Sequence, residues 1–245
     1  MLFIQCRLLF YAVILAVTPE RLQRIKQTLH LRQPDLTILC DEVHKERNLS
    51  AIVRSCDAFA VPKVHNVWLD EKYRLFGNQT AGSGNWVEVV THQSIEGAID
   101  HLKQQGLRVC AAHLSDSAKD YREYDFTQPT ALLMGSELDG ISEKAAELAD
   151  EHLIIPMYGM VESFNVSVAA SMLLSEAIRQ RKAAGMLEHR RLDDDTYNRL
   201  FFEWCQPQIT KFCQQRNIPY PEIGDDGELV DPQGFSALVN SKRRA

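Results

Sequence analysis

The 245-residue chain has six cysteines (Cys6, Cys40, Cys56, Cys110, Cys205, Cys213) but no Cys-x-x-Cys pair. That absence argues against a zinc site or a disulfide framework, and no metal is expected. The cysteines read instead as small buried hydrophobes in a reducing compartment, the cytoplasm. No Gly-x-Gly-x-x-Gly follows an early strand, so an ordinary dinucleotide site is not supported, and Gly82-Ser83-Gly84 alone is too weak to replace it. Gly-x-Ser-x-Gly is also missing, which removes the hydrolase reading of Ser163. There is no internal repeat and no low-complexity tract. An excess of positive charge is lacking too: 27 Lys and Arg stand against 33 Asp and Glu, a net charge of −6. That balance argues mildly against a nucleic-acid partner, because Lys and Arg carry most non-specific affinity for phosphate.

The one long apolar run, Leu8 to Val17, is too short to span a bilayer as a helix, and no membrane partner is expected. By length it resembles a signal-peptide core, but Arg7 is the only charge before Glu20 and no Ala-x-Ala site follows. Residues 1–17 are therefore read as a doubtful extension from upstream of a true start near Val17. Charge is unevenly spread. Arg21, Arg24, Lys26 and Arg32 gather in one stretch, Arg179, Arg181, Lys182, Arg190 and Arg191 in another, and Lys242-Arg243-Arg244 near the end. The acids cluster at Glu137–Glu151 and Glu222–Asp231. A basic face on an acidic protein and ordinary solvated helix faces fit this pattern equally.

Aliphatic and β-branched runs at Leu36–Cys40, Val64–Leu69, Trp86–Val90, Leu107–Ala111, Thr130–Met134 and His152–Ile155 read as strands. Helical periodicity at Leu49–Phe59, Ser94–Gln105, Ser142–Ala149 and Val166–Ala184 alternates with them. The alternation predicts an α/β fold with a mainly parallel sheet covered on both faces. Flanking helices are expected at Pro19–Leu31 and from the Asp193-Asp194-Asp195 cap to about Arg216, before a Pro/Gly/Asp-rich tail. The resulting organisation is a basic N-terminal helix (18–35), a central domain (36–185) and a C-terminal helical extension (186–245).

Three segments carry chemistry. Ile155-Pro156-Met157-Tyr158-Gly159-Met160-Val161-Glu162-Ser163-Phe164-Asn165-Val166-Ser167 reads as a strand end, a loop and a capped helix start, with Tyr158 and Met160 as loop packing. The free amides and positive end of such a helix suit a carboxylate or phosphate. In Asn48-Leu49-Ser50-Ala51-Ile52-Val53-Arg54-Ser55-Cys56-Asp57-Ala58, the stripe Ile52, Val53, Cys56, Phe59, Ala60 faces the core and Arg54 points away. Arg54 is then either a surface arginine or a fork for phosphate, and Asn48 either caps the helix or orients Arg54. Leu132-Leu133-Met134-Gly135-Ser136-Glu137-Leu138-Asp139-Gly140 places Glu137 in a glycine-flanked turn after a buried strand.

In order and spacing these segments resemble the three motifs of the SpoU-type ribose 2′-O-methyltransferases of the SPOUT superfamily. Arg32-Gln33-Pro34-Asp35-Leu36, Ala81-Gly82-Ser83, His113-Leu114-Ser115-Asp116 and Pro219-Tyr220-Pro221 are similar to the tRNA (guanosine-2′-O)-methyltransferase branch, and the likeness runs from about Val17 to near the C-terminus. The resemblance implies a C-terminal trefoil knot, S-adenosyl-L-methionine as cofactor, a homodimer and tRNA as partner, with guanosine 18 of the D-loop as target. It implies catalytic roles for Arg54, Asn48, Glu137, Ser163 and Asn165, and cofactor contacts, largely main-chain, at Ala112, Gly135, Ile155 and Phe164. Ala112 stands where relatives often have Thr, and Phe164 where Leu is common; main-chain contacts tolerate both. Methylation of ribosomal RNA or of the anticodon loop, and a non-catalytic RNA-binding role, are the alternatives.

Overall fold

A computed structural model describes residues 17–68, 86–136 and 139–242. The apolar run before Val17, Ala81-Gly82-Ser83, Glu137 and Arg243-Arg244 lie outside the described residues. The chain divides into two compact units, one formed by Leu31–Arg191 and the other by Met1–His30 with Leu192–Ala245.

The larger unit alternates strand and helix: β1 (Leu36–Asp41), α2 (Glu46–Ala58), β2 (Lys63–Val67), β3 (Glu88–His92), α3 (Ile95–Gln104), β4 (Arg108–Ala112), β5 (Lys119–Asp120), β6 (Thr130–Met134), α4 (Glu143–Leu148), β7 (Glu151–Ile154) and α5 (Val166–Ala183). Helix α1 (Pro19–Leu31) precedes them. The seven strands form one sheet in the order β3-β2-β1-β6-β4-β7-β5. All its pairings are parallel. Side chains alternate across the pleat. Leu36, Ile38, Cys40, Cys110, Leu132 and Met134 therefore pack under α2 and α5. Leu39, Val109, Ala111, Ala131 and Leu133 pack under α3 and α4 on the opposite face. Near-continuous apolar runs are the signature of strands buried on both sides.

The sequence misplaced some boundaries. β5 was not anticipated, since two residues carry no periodicity. The expected strand at Trp86–Val90 starts at Glu88, where pairing with Lys63 sets the register. In the smaller unit the helix expected to run to Arg216 is two helices, α6 (Asp194–Cys205) and α7 (Pro207–Arg216). Pro207 has no N–H to offer an α6 carbonyl and instead starts α7. The Pro/Gly/Asp-rich tail ends in a further helix, α8 (Pro232–Lys242).

Two arginines counted among the basic stretches are fully buried. Arg32 donates to Asp57 Oδ1 at 2.7 Å, the Trp86 carbonyl at 2.8 Å and the Val61 carbonyl at 3.1 Å. Arg181 donates to Asp35 Oδ1 at 2.6 Å and to the Phe126 and Gln128 carbonyls, while Arg191 reaches Asp35 Oδ2 at 2.9 Å. Burial lowers the pKa of Arg32 and Arg181, with their aspartates opposing it. These residues clamp the fold and cannot belong to a solvated basic face. The Arg32-Gln33-Pro34-Asp35 segment is thus an internal ionic anchor.

β2, β3 and α3 also gather His65, His92 and His101, with His65 Nδ1 2.8 Å from His92 Nε2. Burial, aided by His92, pushes the His65 pKa down to about 3. Because the folded state holds this ring neutral, its contribution is full above the ordinary value near 6.5 and is lost as pH falls toward 3. Urea unfolding is expected to show about 1 kcal/mol less stability at pH 5.5 than at pH 7 from this ring alone. His65→Phe should flatten that part of the profile.

Candidate active site

The site is assembled where α2 and α5 start. Asn165 is the N-cap of α5, and its Oδ1 accepts the Ser167 N–H at 2.9 Å and the Ser167 hydroxyl at 2.6 Å. Its Nδ2 donates to Asn48 Oδ1 at 3.2 Å, joining positions 117 residues apart in sequence. Asn48 is therefore not the cap of α2. Lys45 holds that position, its side chain making no capping bond, and Asn48 lies buried in the first turn. The sequence could not distinguish these roles, because an asparagine near a helix start suits either a cap or a cross-link.

Two turns along α2, Arg54 is exposed and makes no hydrogen bond or ion pair with the described residues. Its neighbour Asp57 is committed to Arg32 instead. Arg54 lines a groove of about 1000 Å³ with Arg47 and Ser50 from α2, Ser167 and Ser171 from α5, and Tyr121. Small residues bring the two helices close: Ser55 Oγ lies 2.8 Å from Ser171 Oγ, which also donates to the Ser167 carbonyl at 2.8 Å. Ser167 was legible in the sequence as a small residue that lets a ligand come close, but Tyr121 and Ser171 were not picked out. Spaced at i and i+4, Ser167 and Ser171 form a polar stripe beside the apolar one that drew the reading.

Ala112, Gly135 and Ile155 directly end or follow β4, β6 and β7, which are adjacent in the sheet. The carboxyl edge of a parallel sheet is where such folds bind ligands. β6, the sixth of the seven strands in sequence, is inserted between β1 and β4, so strand order switches here. The turn after Gly135 is tight: the Ser136 N–H donates to the Gly140 carbonyl at 2.8 Å, and Gly140 returns the bond at 3.1 Å. A Cβ at Gly135 would overlap the Gly140 backbone, and Gly140 itself has φ +70°. Buried Asp41, ending β1, fixes the far side by accepting the Ser142 N–H at 2.8 Å.

Ser163 is exposed and makes no bond to the other motif residues, and Phe164 is partly exposed beside the Asn165 cap. Tyr158 and Met160 do not pack as expected. They are 91% and 99% exposed, carried outward by a segment without helix or strand. Among the described residues no group of three or more His, Cys, Asp or Glu could hold a metal, and no helix is long and apolar enough to cross a membrane.

The model of the SpoU rRNA Methylase family matches residues 35–175, and that of the SpoU rRNA methylase C-terminal region matches 179–232. The chain belongs to the SpoU methylase family. Among SpoU relatives, the tRNA (guanosine(18)-2′-O)-methyltransferase of Escherichia coli K12 is 46% identical over 87% of this chain and 94% of its own length. The crystal structure of the Aquifex aeolicus TrmH/SpoU tRNA modifying enzyme superposes with a TM-score of 0.68 at 36% identity, covering 76% of this chain and 95% of that one. A second SpoU structure, AviRb from Streptomyces viridochromogenes in complex with AdoMet, gives a TM-score of 0.54 at 28% identity and covers 62% of each chain.

Proposed function

We propose that the protein methylates the 2′-oxygen of guanosine 18 in tRNA, using S-adenosylmethionine. The observation that carries this reading is the Arg54 guanidinium, unpaired among the described residues and presented beside the Asn48–Asn165 joint that unites two of the family motifs. The relatives support the target, since the Escherichia coli enzyme is named for guanosine 18 and aligns over 94% of its length. The backbone at Ala112, Gly135 and Ile155 fits the cofactor: a tight turn without a Cβ and main-chain groups at one sheet edge suit a ligand held by backbone. The cofactor supplies a sulfonium methyl group for in-line displacement, so positioning provides most of the rate.

Arg54 anchors a phosphate next to the target ribose and stabilises the charge that develops on the 2′-oxygen. It does not take the 2′-hydroxyl proton, because a guanidinium stays protonated; a phosphate oxygen held by Arg54 assists that transfer. Asn48 and Asn165 hold α2 and α5 in register, and the exposed Ser163 hydroxyl orients ribose or phosphate. Glu137, outside the described residues, keeps the role in the site that the resemblance implies. Phe164 contributes its main chain to the cofactor. Arg21 and Arg24, exposed on α1, add phosphate contacts. Membership of the SpoU family supports the trefoil knot that the resemblance implies. The exposed Leu114, Tyr158, Met160 and Val161 support burial of the sheet's carboxyl edge in a homodimer.

Labelled methyl transfer to unmodified tRNA transcripts tests the reading. Incorporation is expected with guanosine 18 and is expected to disappear when that residue is 2′-deoxy. Incorporation into ribosomal RNA alone, the substrate in the matched family description, would move the reading there.

A further inference from the structure

The loop from His113 to Ala118 has an unusual path. It leaves β4 where Ala112 pairs with Leu153 and enters β5 where Lys119 pairs with the same Leu153. β4 and β5 flank β7 on opposite sides, so the loop must cross over a face of β7. Beneath that crossing lies His152, one residue before Leu153. Its Nδ1 is 2.8 Å from the Ser115 hydroxyl, and its Nε2 is 3.0 Å from the Ala146 carbonyl. A carbonyl only accepts, so Nε2 carries a proton; in the neutral ring Nδ1 then accepts from Ser115. Ala146 lies in the last turns of α4, where carbonyls lack helical partners. Ser117 Oγ extends the chain to Ser115 at 3.3 Å, and the His113 ring meets His152 edge-on with centroids 5.4 Å apart. One imidazole thus ties the crossing loop to α4 and to the strand that leads into Ile155.

We propose that His152 is a positioning residue for the cofactor, acting through Ser115. The pair holds the His113–Ala118 loop closed over β7 and so fixes the main chain of Ala112 at the carboxyl edge. The proposal rests on the reading of Ala112 and Ile155 as cofactor contacts. It accounts for the His113-Leu114-Ser115-Asp116 motif, which the Arg54 chemistry leaves unused. His152 touches neither the groove lined by Arg54 nor the Asn48–Asn165 joint, so its effect should fall on cofactor affinity and leave RNA affinity unchanged.

Equilibrium binding of S-adenosylhomocysteine to the full chain, alongside steady-state methyl transfer, tests this. Ser115→Ala should raise the cofactor Kd and KM about five- to tenfold, the size of one lost neutral hydrogen bond, with kcat and the KM for tRNA little changed. His152→Phe should do the same or more. The double variant should be no worse than His152→Phe alone, because both changes remove the same Ser115–His152 bond. His152→Asn, whose amide oxygen can accept from Ser115, should recover part of the affinity. Should His152→Phe not fold, the Ser115→Ala and His152→Asn pair carries the test. Wild-type cofactor affinity in Ser115→Ala, or a fall in kcat at unchanged KM, would overturn the proposal. Absence of binding in the unmodified protein would instead overturn the methyltransferase reading on which it rests.

Discussion

Arg54→Ala is expected to lower kcat for tRNA methylation by about 10²- to 10³-fold, with S-adenosylhomocysteine binding unchanged. The expectation follows from where Arg54 stands. It is exposed, makes no bond to the described residues and lines the groove beside the Asn48–Asn165 joint. No described residue bonds to it, so truncation should not destabilise the fold: thermal unfolding should move by no more than an ordinary surface change, about 0.5 kcal/mol. Arg54→Lys should restore little, since a point charge cannot reproduce a planar fork on phosphate. Single-turnover kinetics with saturating cofactor checks the chemical step directly. Unchanged methylation in Arg54→Ala would remove the residue from the mechanism and revive a non-catalytic RNA-binding role.

The largest effect on stability is expected at Asp35. Its carboxylate faces Arg181 at 2.6 Å and Arg191 at 2.9 Å, with the Arg181 side chain wholly buried. Arg181 sits at the end of α5 and Asp35 just before β1, so the clamp fastens the last helix of the larger unit to its first strand. Asp35→Ala strands a buried guanidinium and should cost about 3–5 kcal/mol, measured as a shifted urea midpoint. For a chain of this size that is roughly a 10 °C fall in Tm. Asp35→Asn keeps the shape and some hydrogen bonds, so it should cost less. Combining it with Arg181→Met should recover part of the loss, because the uncompensated charge is what destabilises. The exposed pair Lys144–Glu147, at 3.1 Å, should by contrast be worth under about 1 kcal/mol. Equal losses at both sites would contradict the assignment of Asp35 as a buried anchor.

Much of the central architecture was legible before any coordinates. Buried parallel strands write themselves as continuous apolar runs, and Thr130–Met134 matched to the residue. Val166 as the first residue of α5 followed from the Asn165 cap. What failed did so where the local signal is silent or ambiguous. Two-residue β5 has no period, and the tail helix Pro232–Lys242 hid behind turn-forming residues. Tyr158 and Met160 were read as packed because composition does not say which way a loop turns.

The motifs, the α/β alternation and the SpoU resemblance belong to the sequence by itself, because periodicity, capping and residue spacing act over a few neighbours along the chain. Only the tertiary structure decided that Asn48 meets Asn165, that Arg32 and Arg181 are buried anchors while Arg54 is free of described partners, and that His152 props a loop crossing its own strand. Those outcomes depend on which distant segment arrives beside a side chain and how much water it excludes. An arginine has the same local signature whether its charge ends against an aspartate in the core or in an open groove.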